Sequence, residues 1–258
     1  MSYETLEVEV DARGVAQLRL NLPDKRNSLS GQMIDDLTQA AAALGASDTA
    51  RVVVLSGAGK VFCAGGDLNW MKAQIAADRT ERIAEATKLA MMLQALNEMP
   101  KPLIGRIHGG AFGGGVGMAC ICDVAVAEAG TKFGLTETKL GLIPATIGPY
   151  VIARMGEGRA RRVFMSARVF LADEARDLGI VSTVAEDLDA AVEAEIAPYL
   201  SVAPEAVGSA KALARALGPQ IDEAVIAGTI ARLADTWEGE EASHGIEAFL
   251  TKSAPRWA

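Results

Sequence analysis

The sequence has few of the residues that hold metals or act as soft nucleophiles. It contains two histidines, His108 and His244, and three cysteines, Cys63, Cys120 and Cys122. Cys120 and Cys122 lack the partners a zinc site needs, so no metal is expected. An odd number of thiols in a chain of 258 residues argues against a disulfide framework, and buried free thiols are the expectation. Basic runs are missing as well. With 25 Lys and Arg against 33 Asp and Glu, the formal net charge is −8, which repels nucleic acid on average. No apolar run approaches the ~18 residues of a membrane span. The opening MSYETLEVEV has neither a basic n-region nor an apolar h-region. Together these absences predict a cytoplasmic, soluble protein with no nucleic-acid and no membrane partner.

What the chain does have is apolar substance and glycine. Hydrophobic residues make up 50% and charged residues 22%, enough for a substantial core and too apolar for disorder. Apolar alternation in GVAQLRLNL (14–22) reads as a strand. RVVVLSGAG (51–59) reads as a buried parallel strand, and 101–109, 123–130 and 180–186 read as further strands. Helical periodicity covers 30–46, 68–98 and several segments after 150, including 200–218 and 221–237. The partition is an α/β core over 1–186 and a helical C-terminal region over 187–258.

Two glycine clusters stand at strand-to-helix turns. One is FCAGGDL (62–68). The other is GGAFGGGVG (109–117), with six glycines in nine residues. Helix N-termini present unpaired N–H groups, and small residues let a ligand come close to them. Two such turns side by side can aim two amides at one oxygen, as an oxyanion hole does. Close helix–sheet packing is the plain alternative. The dinucleotide pattern G-x-G-x-x-G fails because Cys120 follows Gly115 and Gly117 at the third position. A P-loop fails at Val54 and Val61, and G-x-S-x-G is absent.

In this order, LNLPDKRNSLS, VFCAGGDLNWM, KPLIGRIHGGAFGGGVGMACICDVAVA and FGLTETKLGLIPATIGPYVIARMG resemble the enoyl-CoA hydratase/isomerase (crotonase) superfamily. They are most similar to the branch named for methylglutaconyl-CoA and carboxygeranoyl-CoA hydratases. The resemblance implies a crotonase-like spiral of ββα units whose helical C-terminal region builds a homotrimer or hexamer. It implies an acyl-CoA thioester substrate in fatty-acid, leucine or isoprenoid catabolism. CoA enters as part of that substrate, and no separate cofactor is implied. The oxyanion-hole amides would be those of Ala64 and Gly114, beside Gly113. Substrate contacts would come from Lys25, Arg26, Asn27, Ser28 and Leu29, from Gly65, Gly66, Asp67 and Leu68, and from Trp70, Met71 and Lys252. For Lys25 and Arg26 a solvated surface pair is the plain reading. For Asp67 the favoured reading is the N-cap of the following helix.

The superfamily's hydratases usually carry two glutamates. The second matches Glu137. Where the first belongs, this sequence has Gly117, which has no side chain to take a proton or hold water. Hydration needs two proton movements, so three readings stay open. The first is an enoyl-CoA hydratase, a hydro-lyase, with Glu137 as the main acid/base and water held by Glu137, backbone, Thr146 or Tyr150. The second is a Δ3,Δ2-enoyl-CoA isomerase using Glu137 alone. The third is an acyl-CoA-binding protein without turnover. Burial of Glu137 would raise its pKa into the useful range. A surface glutamate paired with Lys139 or Arg154 is the plain alternative.

Overall fold

The apolar stretch near the N-terminus forms the second of two antiparallel strands, β1 (Leu6–Val10) and β2 (Val15–Leu20), paired from Leu6–Leu20 to Val10–Ala16. The structure, a computed structural model, describes residues 3–258. The remaining strands are β3 (Val52–Gly57), β4 (Leu103–Ile107), β5 (Gly110–Phe112), β6 (Val124–Glu128), β7 (Lys132–Gly134), β8 (Val169–Leu171) and β9 (Thr183–Ala185). A six-stranded sheet runs β1-β2-β3-β4-β6-β9 and is parallel from β2 onward. Every residue of β3 is buried, as an uninterrupted apolar run with both faces covered requires. A smaller sheet, β5-β7-β8, stands beside it.

The helices are α1 (Gly31–Gly45), α2 (Leu68–Ala76), α3 (Arg79–Glu98), α4 (Gly114–Ile121), α5 (Gly148–Met155), α6 (Glu157–Phe164), α7 (Ala172–Leu178), α8 (Leu188–Ile196), α9 (Pro204–Leu217), α10 (Glu223–Trp237) and α11 (Glu240–Thr251). Two strands followed by a helix recur as β1-β2-α1 and β4-β5-α4, the repeat expected of the spiral. The helix expected over 68–98 is two helices. Ala77 is extended, and Asp78 and Glu81 exchange side-chain-to-backbone hydrogen bonds that start α3 afresh. The strands β1, β5, β7 and β8 were not anticipated. The last three have only three residues each, too few for alternation to register.

Past residue 187 the chain is helical, as expected. α8 buries Leu188, Val192 and Ile196 against Val52, Val54, Ile104 and Val126 of the large sheet. α10 and α11 join α3 and Leu142 in a second apolar cluster, whereas α9 buries no residue. All three cysteines are free and buried, and burial pushes each thiol up to about 12.

Asn27 ties the segment after β2 to the one after β3. It is fully buried in the left-handed conformation, with φ 52°. Its Oδ1 accepts from Leu22 N–H at 3.0 Å, and its Nδ2 donates to Ala58 O at 2.8 Å and Val61 O at 3.0 Å. Its side chain is thus a structural knot. Asn27→Ala strands these three backbone groups and puts alanine, which favours the left-handed conformation less than asparagine does, at φ 52°. It should cost on the order of 3 kcal/mol or more, read as a lower urea midpoint at unchanged slope.

Candidate active site

Three backbone segments lie side by side at the centre of the site. Cys63 bridges Ala111 and Gly66 bridges Leu29, both in parallel register, so residues 63–66 run between 26–29 and 110–113. Cys63 N–H donates to Gly110 O, and Cys63 O accepts from Phe112 N–H. Ala64 N–H donates to Arg26 O at 3.0 Å, Gly65 O accepts from Leu29 N–H at 2.8 Å, and Asp67 N–H donates to Leu29 O at 3.1 Å. Gly65 has φ +94°, and a Cβ there would lie 3.0 Å from Phe112 O and 3.9 Å from Gly113 Cα. Only glycine permits both that dihedral and that approach.

This pairing corrects one expected donor. The Ala64 amide is spent on Arg26 O and is not free to meet an anion. In the Leu29–Gly66 bridge the bonds to Leu29 are made by Gly65 O and Asp67 N–H, which flank Gly66, so the Gly66 N–H itself faces away from that segment. The Gly66 N–H is therefore turned from Leu29 toward the side of Gly113 and Gly114. Gly114 opens α4, where first-turn amides have no intrahelical acceptor. Its packing is tight, since a Cβ would meet Leu29 Cδ1 at 2.5 Å.

Glu137 begins a short 3-10 turn, Glu137–Leu140, beyond β7. A Cβ on Gly113, whose φ is +47°, would lie 3.1 Å from Glu137 Oε1. The residue keeps some exposed surface, but its Oε2 is closed off from solvent and has no hydrogen-bond partner. Burial raises the carboxyl pKa to about 7, opposed in part by a hydrogen bond from its own backbone. The surface-pair alternative fails. Arg154 instead donates to the carbonyls of Cys120 and Cys122 at the end of α4, and Lys139 makes no ion pair with Glu137. The C-terminal helix braces this turn from behind. A Cβ on Gly141 would lie 2.4 Å from the Glu241 carbonyl carbon, and one on Gly245 would lie 2.6 Å from that of Leu140.

The other expected residues fall into two groups. Ser28 and Leu29 are buried beside the central segments, with Ser28 Oγ donating to Asp67 Oδ2 at 3.2 Å. Asp67 caps α2 as expected, accepting from Asn69 and Trp70 N–H. Met71 Cγ lies 4.0 Å from the position of a Gly66 Cβ. Lys25 and Arg26 are exposed on the flanking turn. Trp70 donates its indole N–H to Glu85 of α3 at 3.2 Å, and Leu68 is exposed. Lys252 ends α11 in the left-handed conformation with its surface exposed. Tyr150 cannot hold water for Glu137, because it is buried with its hydroxyl 3.5 Å from Ala90 O of α3. A cleft of about 1190 Å³ lies elsewhere, between α9 and the core, and contains the Lys211–Asp123 pair.

The residue that sequence reasoning missed is Ile147, which precedes α5. A Cβ on Gly117 would lie 2.4 Å from Ile147 Cγ2. No local pattern marks that contact, because the two residues lie on different elements.

The chain is similar to known proteins over nearly its whole length. A family model described as enoyl-CoA hydratase/isomerase matches residues 11–258. A solved structure of an enoyl-CoA hydratase from Shewanella pealeana is 36% identical with a TM-score of 0.82, covering 99% of this chain and 97% of that one. The enoyl-CoA hydratase ACTT6 of Alternaria alternata is 32% identical over 96% of this chain and 80% of its own length. The mitochondrial Delta(3,5)-Delta(2,4)-dienoyl-CoA isomerase of Mus musculus is 33% identical over 76% of this chain and 63% of its own length.

The Glu137 carboxyl has a measurable thermodynamic signature. Its folded-state pKa of about 7 lies above the ordinary 4.5. Below pH 4.5 both states are protonated and the group costs nothing. Between pH 4.5 and 7 the unfolded state has released its proton while the folded state still holds it, so folding stability falls across that window and levels off above 7. Glu137→Gln removes this loss. It should stabilise the fold by on the order of 3 kcal/mol at pH 8 and leave it nearly unchanged at pH 4, checked by denaturant unfolding at both values.

Proposed function

The chain belongs to the enoyl-CoA hydratase/isomerase family, and on that premise we propose an enoyl-CoA hydratase in which Glu137 alone carries both proton movements. The observation that carries this reading is a Glu137 carboxyl that lies against Gly113 with a buried, unpartnered oxygen, while Gly117 is sealed against Ile147. The acyl-CoA substrate and its 2,3 double bond come from the family and from relatives named enoyl-CoA hydratase.

In this reading the Gly66 and Gly114 N–H groups hold the thioester oxygen and stabilise the enolate that forms there. One such donor is typically worth about 2.7–4 kcal/mol in a transition state. Ionised Glu137 accepts a proton from water as the water oxygen bonds to Cβ. The double-bond electrons move to the enolate, and protonated Glu137 then returns that proton to Cα. The product is a 3-hydroxyacyl-CoA, and the carboxyl ends as it began. A pKa of about 7 suits both halves, because neither proton acceptance nor donation runs steeply uphill near neutrality. Since one carboxyl serves both carbons, H and OH arrive on the same face.

The sealed position at Gly117 also favours a second reading. A lone carboxyl that takes an α-proton from a 3-enoyl-CoA and returns it at Cγ performs Δ3,Δ2-isomerisation and needs no held water.

Purified protein with crotonyl-CoA and 3-methylglutaconyl-CoA should lose the conjugated thioester absorbance. Glu137→Gln should lower the rate by about 10²–10⁴. kcat/KM should rise with pH through about 7, because free Glu137 must be ionised to accept the proton. Conversion of 3-enoyl- to 2-enoyl-CoA without hydration would establish the isomerase. CoA-thioester binding with neither reaction would leave a binding protein.

A further inference from the structure

The geometry points to Ile147 as a positioning residue that seals α4 at Gly117 and keeps the Glu137 carboxyl solitary and dry. This rests on the reading of Glu137 as proton carrier and names the residue that makes one carboxyl work alone.

A Cβ on Gly117 would lie 2.4 Å from Ile147 Cγ2 and 2.9 Å from Ile147 Cβ. These atoms belong to the stiff, β-branched part of the side chain, which cannot swing aside as a flexible tip can. Ile147 is 2% exposed, and Gly117 is buried too. The Gly117 N–H donates to Gly113 O at 3.2 Å, so the two glycines stand one turn apart. Gly113 is the residue against which Glu137 Oε1 rests. With a helical turn of about 5.4 Å, Ile147 and the Glu137 carboxyl press on neighbouring turns of one backbone.

Two consequences follow. No side chain can stand at 117 while Ile147 keeps its place, so no second acid or polar group can share Glu137's proton from that turn. What Ile147 presents at that turn is hydrocarbon, one turn from the backbone against which Glu137 Oε1 lies, and in this proposal it withholds hydration from the carboxylate. The titratable side chains on the segments around Glu137 do not replace that hydration. Lys139 on its own turn, Arg26 and Cys63 on the central segments, Cys120 on α4, and Glu240, Glu241 and His244 on α11 make no hydrogen bond or ion pair with it. His244 instead accepts from Arg256 N–H, and Glu240 pairs with the Arg256 side chain.

The test compares Ile147→Ala, Gly117→Glu and the double variant with the wild-type chain. The Glu137 carboxyl is followed by infrared titration, with its band identified by loss in Glu137→Gln, so no turnover is required. In Ile147→Ala the carboxyl should titrate lower by about one pH unit as water reaches it. Gly117→Glu should unfold at lower denaturant than wild type, and adding Ile147→Ala should recover part of that loss, a coupling that independent sites would not show. If Ile147→Ala does not fold, Ile147→Thr puts a hydroxyl at the same place, and the same downward shift is expected. An unmoved titration in the folded variant, or a Gly117→Glu protein as stable as wild type, overturns the proposal. Failure of the functional reading looks different: turnover would survive Glu137→Gln while the Ile147 titration shift persisted.

Discussion

Backbone meeting backbone through glycine is the contact on which this site depends. Gly65 lets residues 63–66 approach Phe112 O, and Gly113 makes room for the Glu137 carboxyl. Gly141 and Gly245 let the C-terminal helix lie directly on the turn that carries Glu137. A methyl group at any of these positions would hold the segments apart and admit water. Without side chains between them, the segments pack backbone on backbone around the turn that carries Glu137. The glycines are thus the means by which an acid is buried without a charged partner.

That burial opposes folding at neutral pH, and the rest of the fold offsets it. The parallel strands are covered on both faces, by α1 and α3 on one side of the chain path and by α8 on the other. The asparagine knot at Asn27 and the guanidinium of Arg154 satisfy carbonyls that the tight turns would otherwise strand. A large core can tolerate one desolvated carboxyl where a small one could not. The arrangement lowers stability near neutrality and holds the carboxyl pKa at about 7.

Relatives of this chain carry the names of hydratases and of an isomerase. A thioester oxygen held by backbone amides suits both reactions, because both pass through charge on that oxygen. What distinguishes them is which acids and which water stand around the acyl chain. In this protein Ile147, at the start of α5, leaves no room for a side chain at Gly117 of α4.

Much of this was legible in the linear sequence. The long strands were marked by apolar runs, the α2 cap by Asp67, the free thiols by their number, and the family by ordered motifs that led to Glu137. These features are local, so a short window contains their cause. Tertiary structure decided what windows cannot hold. Whether the Ala64 or the Gly66 amide is free depends on which neighbouring segment each faces, and that follows from pairing with Arg26 and Leu29. Asn27 became a knot because Ala58 and Val61 were folded against it. The missing side chain at Gly117 was plain in the sequence, but its replacement by Ile147 was not, since 30 residues of chain must fold back before the two can touch. The sequence by itself determined which groups are available. Only packing determined which of them are spent on the fold and which are left for chemistry, because a hydrogen-bonding group's availability is a property of its neighbours in space.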